Sequence, residues 1–184
     1  MHKKIKLLLN ELNETRNLFW NISPETGFFL NQLVRIRKPK NVLEIGTSNG
    51  VSGIYIAEAL SHNAGHLYTI ESHKKLRFNL ATKNFATSGL TPYITQILGH
   101  APEVIPSTPR TFDIIFLDAT KYEHTDYLKS ILPRTKKGSI IITDNALSHK
   151  KELAPYFKEI NRLKNFETHL LPIGSGLLVS TRLS

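Results

Sequence analysis

The sequence predicts an α/β fold: a seven-stranded, mostly parallel sheet with helices on both faces, ending in a carboxyl-terminal antiparallel hairpin. Three observations carry this. Apolar strand-like runs alternate with helix-like stretches along most of the 184 residues. No repeat, low-complexity tract or linker interrupts the alternation. The last two runs are separated only by "PIGSG", too short for a crossover, so they must pair antiparallel.

The elements follow in order. Residues 3–20 carry Ile5, Leu8, Leu9, Leu12 and Phe19 near helical spacing and predict an amphipathic helix. "SPETGFFLNQLVRIRK" predicts a second, with Ser23 as N-cap, Pro24 at the first helical position and Pro39 just past the end. Strand-like runs then occupy 41–45, 66–70, 93–98, 112–117, 139–143, 166–171 and 176–180. Helix-like stretches fill 51–61, 73–87, 101–105, 122–132 and 150–164. The chain therefore reads as one domain, 1–184, with amino-terminal helices at 1–38 and an α/β core at 39–184.

Composition narrows the chemistry. With no cysteine, disulfides, thiolate metal sites and cysteine nucleophiles are excluded. The first twenty residues lack a signal-type apolar run and cleavage site, and no stretch approaches a membrane span, so a soluble, cytoplasmic protein without membrane partners is expected. Lys and Arg number 24 against 15 Asp and Glu, a net charge of +9 that attracts phosphates and acidic surfaces.

The first strand runs into Glu44-Ile45-Gly46-Thr47-Ser48-Asn49-Gly50, and a helix begins near Val51. In a doubly wound sheet the loop after this strand floors the ligand site. Gly46 and Gly50 remove side chains where a ligand would approach backbone, and free N–H groups at the next helix can hold an anionic group. Ser48 stands where a dinucleotide loop needs its second glycine, and Val51 where a P-loop needs lysine. A cofactor smaller than a dinucleotide remains. "LYTIES" ends the second strand with Glu71, placed to accept hydrogen bonds from ribose hydroxyls.

"EIGTSNGVS" followed by "IES" resembles the S-adenosylmethionine segment of the Rossmann-like class I methyltransferases, and most of all the cation-dependent O-methyltransferases. That family includes catechol and caffeoyl-CoA enzymes and bacterial tRNA 5-hydroxyuridine enzymes. The likeness runs from "SPETGFFLNQL" to "PIGSGLLVS". It implies a cofactor set of Glu44, Gly46, Ser48, Ser52, Glu71, His100 and Asp118, with Gly46 and Ser48 along the methionine part, Ser52 on its carboxylate and Glu71 on the ribose. His100 is a departure, because relatives often place there an acid that meets the adenine amino group.

Further along, "FLDATK" sets Asp118 at the end of one strand and "IITDN" sets Asp144 and Asn145 at the end of the next. If those strands are neighbours, three oxygen ligands with two negative charges converge, which suits Mg²⁺ or another hard divalent cation. Asp113 opens its strand at the far edge and reads as a turn residue. The resemblance agrees: its D-x-x-K pattern implies that Asp118 is a metal ligand and Lys121 the catalytic base, and its D-N pair supplies Asp144 and Asn145. A lysine can take a hydroxyl proton once desolvation and a cation favour its neutral form.

Three protein oxygens leave room for a bidentate acceptor, hence a hydroxyl beside a second oxygen. A catechol-like small molecule fits, and so does 5-hydroxyuridine in tRNA, for which the +9 charge is suited. The reading is an O-methyltransferase; the alternatives are a non-catalytic RNA-binding module on the same fold and a metal-independent methyltransferase. Assembly as a homodimer stays open. His124, Tyr122 and Tyr127 border the substrate or lie on a helix face, and Trp20 caps the pocket or packs.

Overall fold

A computed structural model describes residues 1–105, 108 and 111–184, and among these seven strands form one sheet. The strands are β1 (Asn41–Ile45), β2 (His66–Glu71), β3 (Ile94–Leu98), β4 (Ile114–Leu117), β5 (Ile140–Thr143), β6 (Phe166–Leu171) and β7 (Leu177–Arg182). Their order is β3-β2-β1-β4-β5-β7-β6, parallel except for β7, which runs antiparallel to both β5 and β6. The strand order reverses between β1 and β4, and that switch point is where a ligand cleft is expected in this architecture.

Central strands built of Ile, Leu, Val and Phe are buried on both sides. In β4, Ile114 and Phe116 join a cluster on one face with Val42, Ile142, Leu60 and Phe85. Ile115 and Leu117 join the opposite cluster with Leu43, Ile45, Ile141 and Tyr156. This is the period-two alternation of a strand with no wet side. Each such side chain contributes roughly 1.5–3 kcal/mol of burial.

The helices are α1 (Lys3–Glu14), α2 (Arg16–Phe19), α3 (Pro24–Arg37), α4 (Val51–Leu60), α5 (Asn79–Ser88), α6 (Ala101–Val104), α7 (His124–Ile131) and α8 (Ala154–Arg162). α1 and α3 to α5 supply the first cluster, and α6 to α8 the second. Ser23 caps α3 as its sequence foretells, its Oγ accepting from Thr26 N at 3.2 Å.

Two helices differ from the sequence reading. The 3–20 helix breaks at Thr15, whose Oγ1 donates back to the Leu12 carbonyl at 3.0 Å and competes with the helical ladder. A short α2 follows and stops at Trp20 in the left-handed conformation (φ +53°). α8 starts at Ala154 rather than 150, with Pro155 in its first turn, where a missing N–H costs nothing. A π-helical turn, Lys74–Phe78, precedes α5. No described helix is long and apolar enough to cross a membrane.

Candidate active site

Register aligns the site. Ile45 pairs with Ile70 and with Leu117, and Leu117 pairs with Thr143. The residues that follow, Gly46, Glu71, Asp118 and Asp144, therefore stand level on the carboxyl rim of four adjacent strands. Glu71 pairs with Leu98, so Gly99 and His100 continue the row. Asp113 lies at the opposite end of β4, where its Oδ2 accepts from Lys40 N and Asn41 N and its Oδ1 pairs with Lys136, a structural role.

Above the rim is a cleft of about 740 Å³. Gly46, Ser48, Glu71, His100, Asp118, Lys121 and Asn145 all line it. Glu71 is held from behind by backbone: Ser48 N donates to its Oε2 and His73 N to its Oε1, each at 2.9 Å. Its carboxylate is thus oriented without a cation. Ser48 Oγ donates to the Phe19 carbonyl at 2.9 Å, which fastens the amino-terminal segment across the cleft.

The two glycines have a different reason from ligand access. Gly46 sits at φ +103°, and a Cβ there would collide with the Asp118 carbonyl. Gly50 sits at φ +92°, and a Cβ there would enter the Phe85 ring. Both let the loop fit between β4 and α5. Only Gly46 also lines the cleft.

Glu44 and Ser52 are not brought into the cleft. Glu44 is fully buried under the loop, its Oε2 accepting from Thr69 Oγ1 at 2.6 Å, while Ser52 also hydrogen-bonds its carboxylate. Its Oε1 has no partner among the described residues. Burial pushes the Glu44 carboxyl up to about 7, against the lowering by Ser52 and Thr69.

At the other side, Lys121 Nζ lies 2.8 Å from Asp118 Oδ1, both largely shielded from solvent. Asp144 is buried beside them, and its Oδ1 has no partner among the described residues. Burial, then the like charge of Asp118, raises the Asp144 carboxyl to about 7. Asn145 holds a left-handed backbone (φ +63°) that turns the chain at the rim. No group of three or more His, Asp or Glu side chains among the described residues is arranged to hold a metal. Two carboxylates and one amide are what the rim offers, with a buried, unpaired oxygen short of positive charge. That donor set fits a hard divalent cation.

Residues 2–182 match the O-methyltransferase family. The chain belongs to this family of enzymes. A catechol O-methyltransferase of Niastella koreensis is 35% identical over 148 residues, covering 78% of this chain and 66% of that relative, just under two thirds of its length. An O-methyltransferase structure from Bacillus cereus in complex with SAH is 25% identical, with a TM-score of 0.85 over 99% of this chain and 91% of that one. An SAH-bound methyltransferase from Podospora anserina superposes at a TM-score of 0.90 over 100% of this chain and 89% of that one, and at 21% identity it speaks for the fold alone.

For a member of this family, Glu123 and Arg77 are cleft residues that the sequence does not single out, whereas Tyr127 and Trp20, weighed there as border residues or packing, do line the cleft. Glu123 and Tyr127 line the cleft next to His100. His100 Nε2 is 3.0 Å from Glu123 Oε2, and the Tyr127 hydroxyl donates to the same oxygen. The hydrogen bond to Glu123 raises the His100 imidazole above its ordinary value. Trp20, 73% exposed, stands at the cleft mouth with the Arg77 guanidinium 5.0 Å from its ring centroid. Arg77 comes from the π-helical turn, a feature with no periodicity to announce it. His124 is fully buried, its Nδ1 donating to the Thr120 carbonyl at 3.0 Å, and burial lowers it to about 4; it borders the core. Tyr127 reaches the cleft, and Tyr122 is exposed.

Proposed function

We propose that this chain transfers a methyl group from S-adenosylmethionine to a hydroxyl beside a second oxygen, with a divalent cation such as Mg²⁺ at Asp118, Asp144 and Asn145. The observation that carries the reading is one cleft with two chemically distinct sides. Glu71, fixed by two backbone donors, faces it on one side, and the Asp118–Lys121 pair with Asn145 faces it on the other. The Gly46 turn lies between them. SAH in the Bacillus cereus relative supports the choice of cofactor.

The chemistry follows from the residues. Glu71 accepts from ribose hydroxyls and fixes the cofactor's direction along the rim. In its neutral form, which a cation taking up the Asp118 carboxylate would favour, Lys121 accepts the acceptor's proton at Nζ. The loop and the Phe19–Asn21 segment limit water and align the two reactants, which is most of what a methyl displacement requires. A bound cation would supply positive charge that favours the ionised acceptor and offsets the unpaired Asp144 oxygen. Among acceptors, the N. koreensis relative supports a catechol, and the net charge of +9 supports 5-hydroxyuridine in tRNA.

The test is labelled methyl transfer from S-adenosylmethionine to a catechol and to bulk tRNA, each with Mg²⁺ and with EDTA. Incorporation into one acceptor, lost with EDTA, is the expected result. Absence of label in both under every condition, with no SAH binding by calorimetry, overturns the proposal. RNA binding that falls steeply with salt, without transfer, would instead identify a non-catalytic RNA-binding module.

A further inference from the structure

We propose that Glu123, held by His100 and Tyr127, reads the exocyclic amino group of the cofactor's adenine. This rests on the S-adenosylmethionine reading above and adds a residue to it. On this rim the ribose sits at Glu71, at the end of β2, so the base extends toward the end of β3. There the cleft is lined by Gly99, His100 and Ala101, and by Glu123 and Tyr127, which are joined to His100 through the Glu123 carboxylate.

An amino group needs an acceptor. Gly99 and Ala101 have no polar side chain. His100 is committed on both ring nitrogens, 3.4 Å from Glu103 Oε1 at Nδ1 and 3.0 Å from Glu123 Oε2 at Nε2. Facing two carboxylates, which favour its charged form, the imidazolium donates at each nitrogen and has no lone pair to offer. Glu103 is outside the cleft lining. Glu123 remains. Its bonds from His100 and Tyr127 both fall on Oε2, so Oε1 takes neither. Burial works to raise the Glu123 carboxyl, and the Tyr127 and His100 bonds overcome it, keeping it an ionised acceptor.

A carboxylate aimed at an amino group discriminates sharply against a 6-oxo base, which presents an acceptor in the same place. The experiment is calorimetric titration of the full chain with S-adenosylhomocysteine and with S-inosylhomocysteine. The wild type should favour the adenine compound by about 10- to 100-fold, the range for a hydrogen bond to a charged group. In Glu123→Ala the ratio should fall to near one. Glu123→Gln, which preserves shape and one acceptor, should keep part of it. His100→Ala should lower the ratio without abolishing it, as a positioning residue would. Thermal melts check that each variant is folded. Tight SAH binding with the same ratio in wild type and in both Glu123 variants overturns this proposal and leaves the methyltransferase reading intact. No SAH binding by the wild type removes both.

Discussion

Replacing Glu44 with Gln should change how stability depends on pH, and the size follows from burial. The Glu44 carboxyl is raised from 4.5 to about 7, chiefly because it is shut away from water, with Ser52 and Thr69 only partly compensating. A carboxyl raised in the folded state binds more protons folded than unfolded between these values. The stability that Glu44 contributes is therefore fully present at low pH and is lost as pH rises through about 7. Between pH 5 and pH 8 the linkage amounts to about 2–3 kcal/mol of lost stability. Glutamine keeps the acceptor for Thr69 Oγ1 and has no charge to bury. Its stability should stay level across that window apart from other groups, so the variant gains on the wild type as pH rises. Urea unfolding followed by circular dichroism at pH 5, 6, 7 and 8, in EDTA to keep divalent cations off the rim, measures the difference directly. Parallel pH curves for the two proteins would refute the argument.

Asp118→Ala removes the partner of Lys121 and one oxygen of the proposed cation set, and should lower kcat/KM for methyl transfer by about 10²-fold or more. Turnover that survives this change would mark a metal-independent enzyme. Gly46→Ala forces a Cβ into the Asp118 carbonyl at φ +103°, and should cost about 2 kcal/mol or more, lowering Tm by roughly 5 °C in a thermal melt. Trp20 is the sole tryptophan and lines the cleft, so SAH titration should shift its fluorescence; emission that does not respond would separate it from the cofactor.

The sheet was legible because its code is local. Each apolar run became a strand to within about two residues, and "PIGSG" did close an antiparallel hairpin. The rim was legible too, since a residue one past the end of a parallel strand has only one place to go. What stayed hidden depends on long-range contact. Nothing in "EIGTSNG" says that Gly46 yields to a carbonyl 72 residues away, or Gly50 to a phenyl ring; the glycine signal is the same whether a ligand or a neighbour requires it. The break at Thr15 was invisible for a similar reason, because one hydroxyl bonding backwards leaves the apolar spacing untouched.

The placement of the glycines also bears on how the site tolerates change. If the loop between β1 and α4 were shaped by its ligand, its conformation would depend on occupancy. Instead it is fixed from three sides by the protein: Gly46 N donates to the Ile70 carbonyl at 3.0 Å, Asp118 N to the Ile45 carbonyl at 2.9 Å, and Asn84 Nδ2 to the Asn49 carbonyl at 2.8 Å. Glu71 takes its orientation from that same loop through Ser48 N. The cofactor side is therefore preorganised, with little left for binding to order. The other side is built differently. Among the described residues Asp144 has an unpaired buried oxygen and Asp118 pairs with a flexible side chain, Lys121. An enzyme arranged this way meets its cofactor as a finished socket, and under the proposed cation reading its acceptor side is the half that binding would still have to complete.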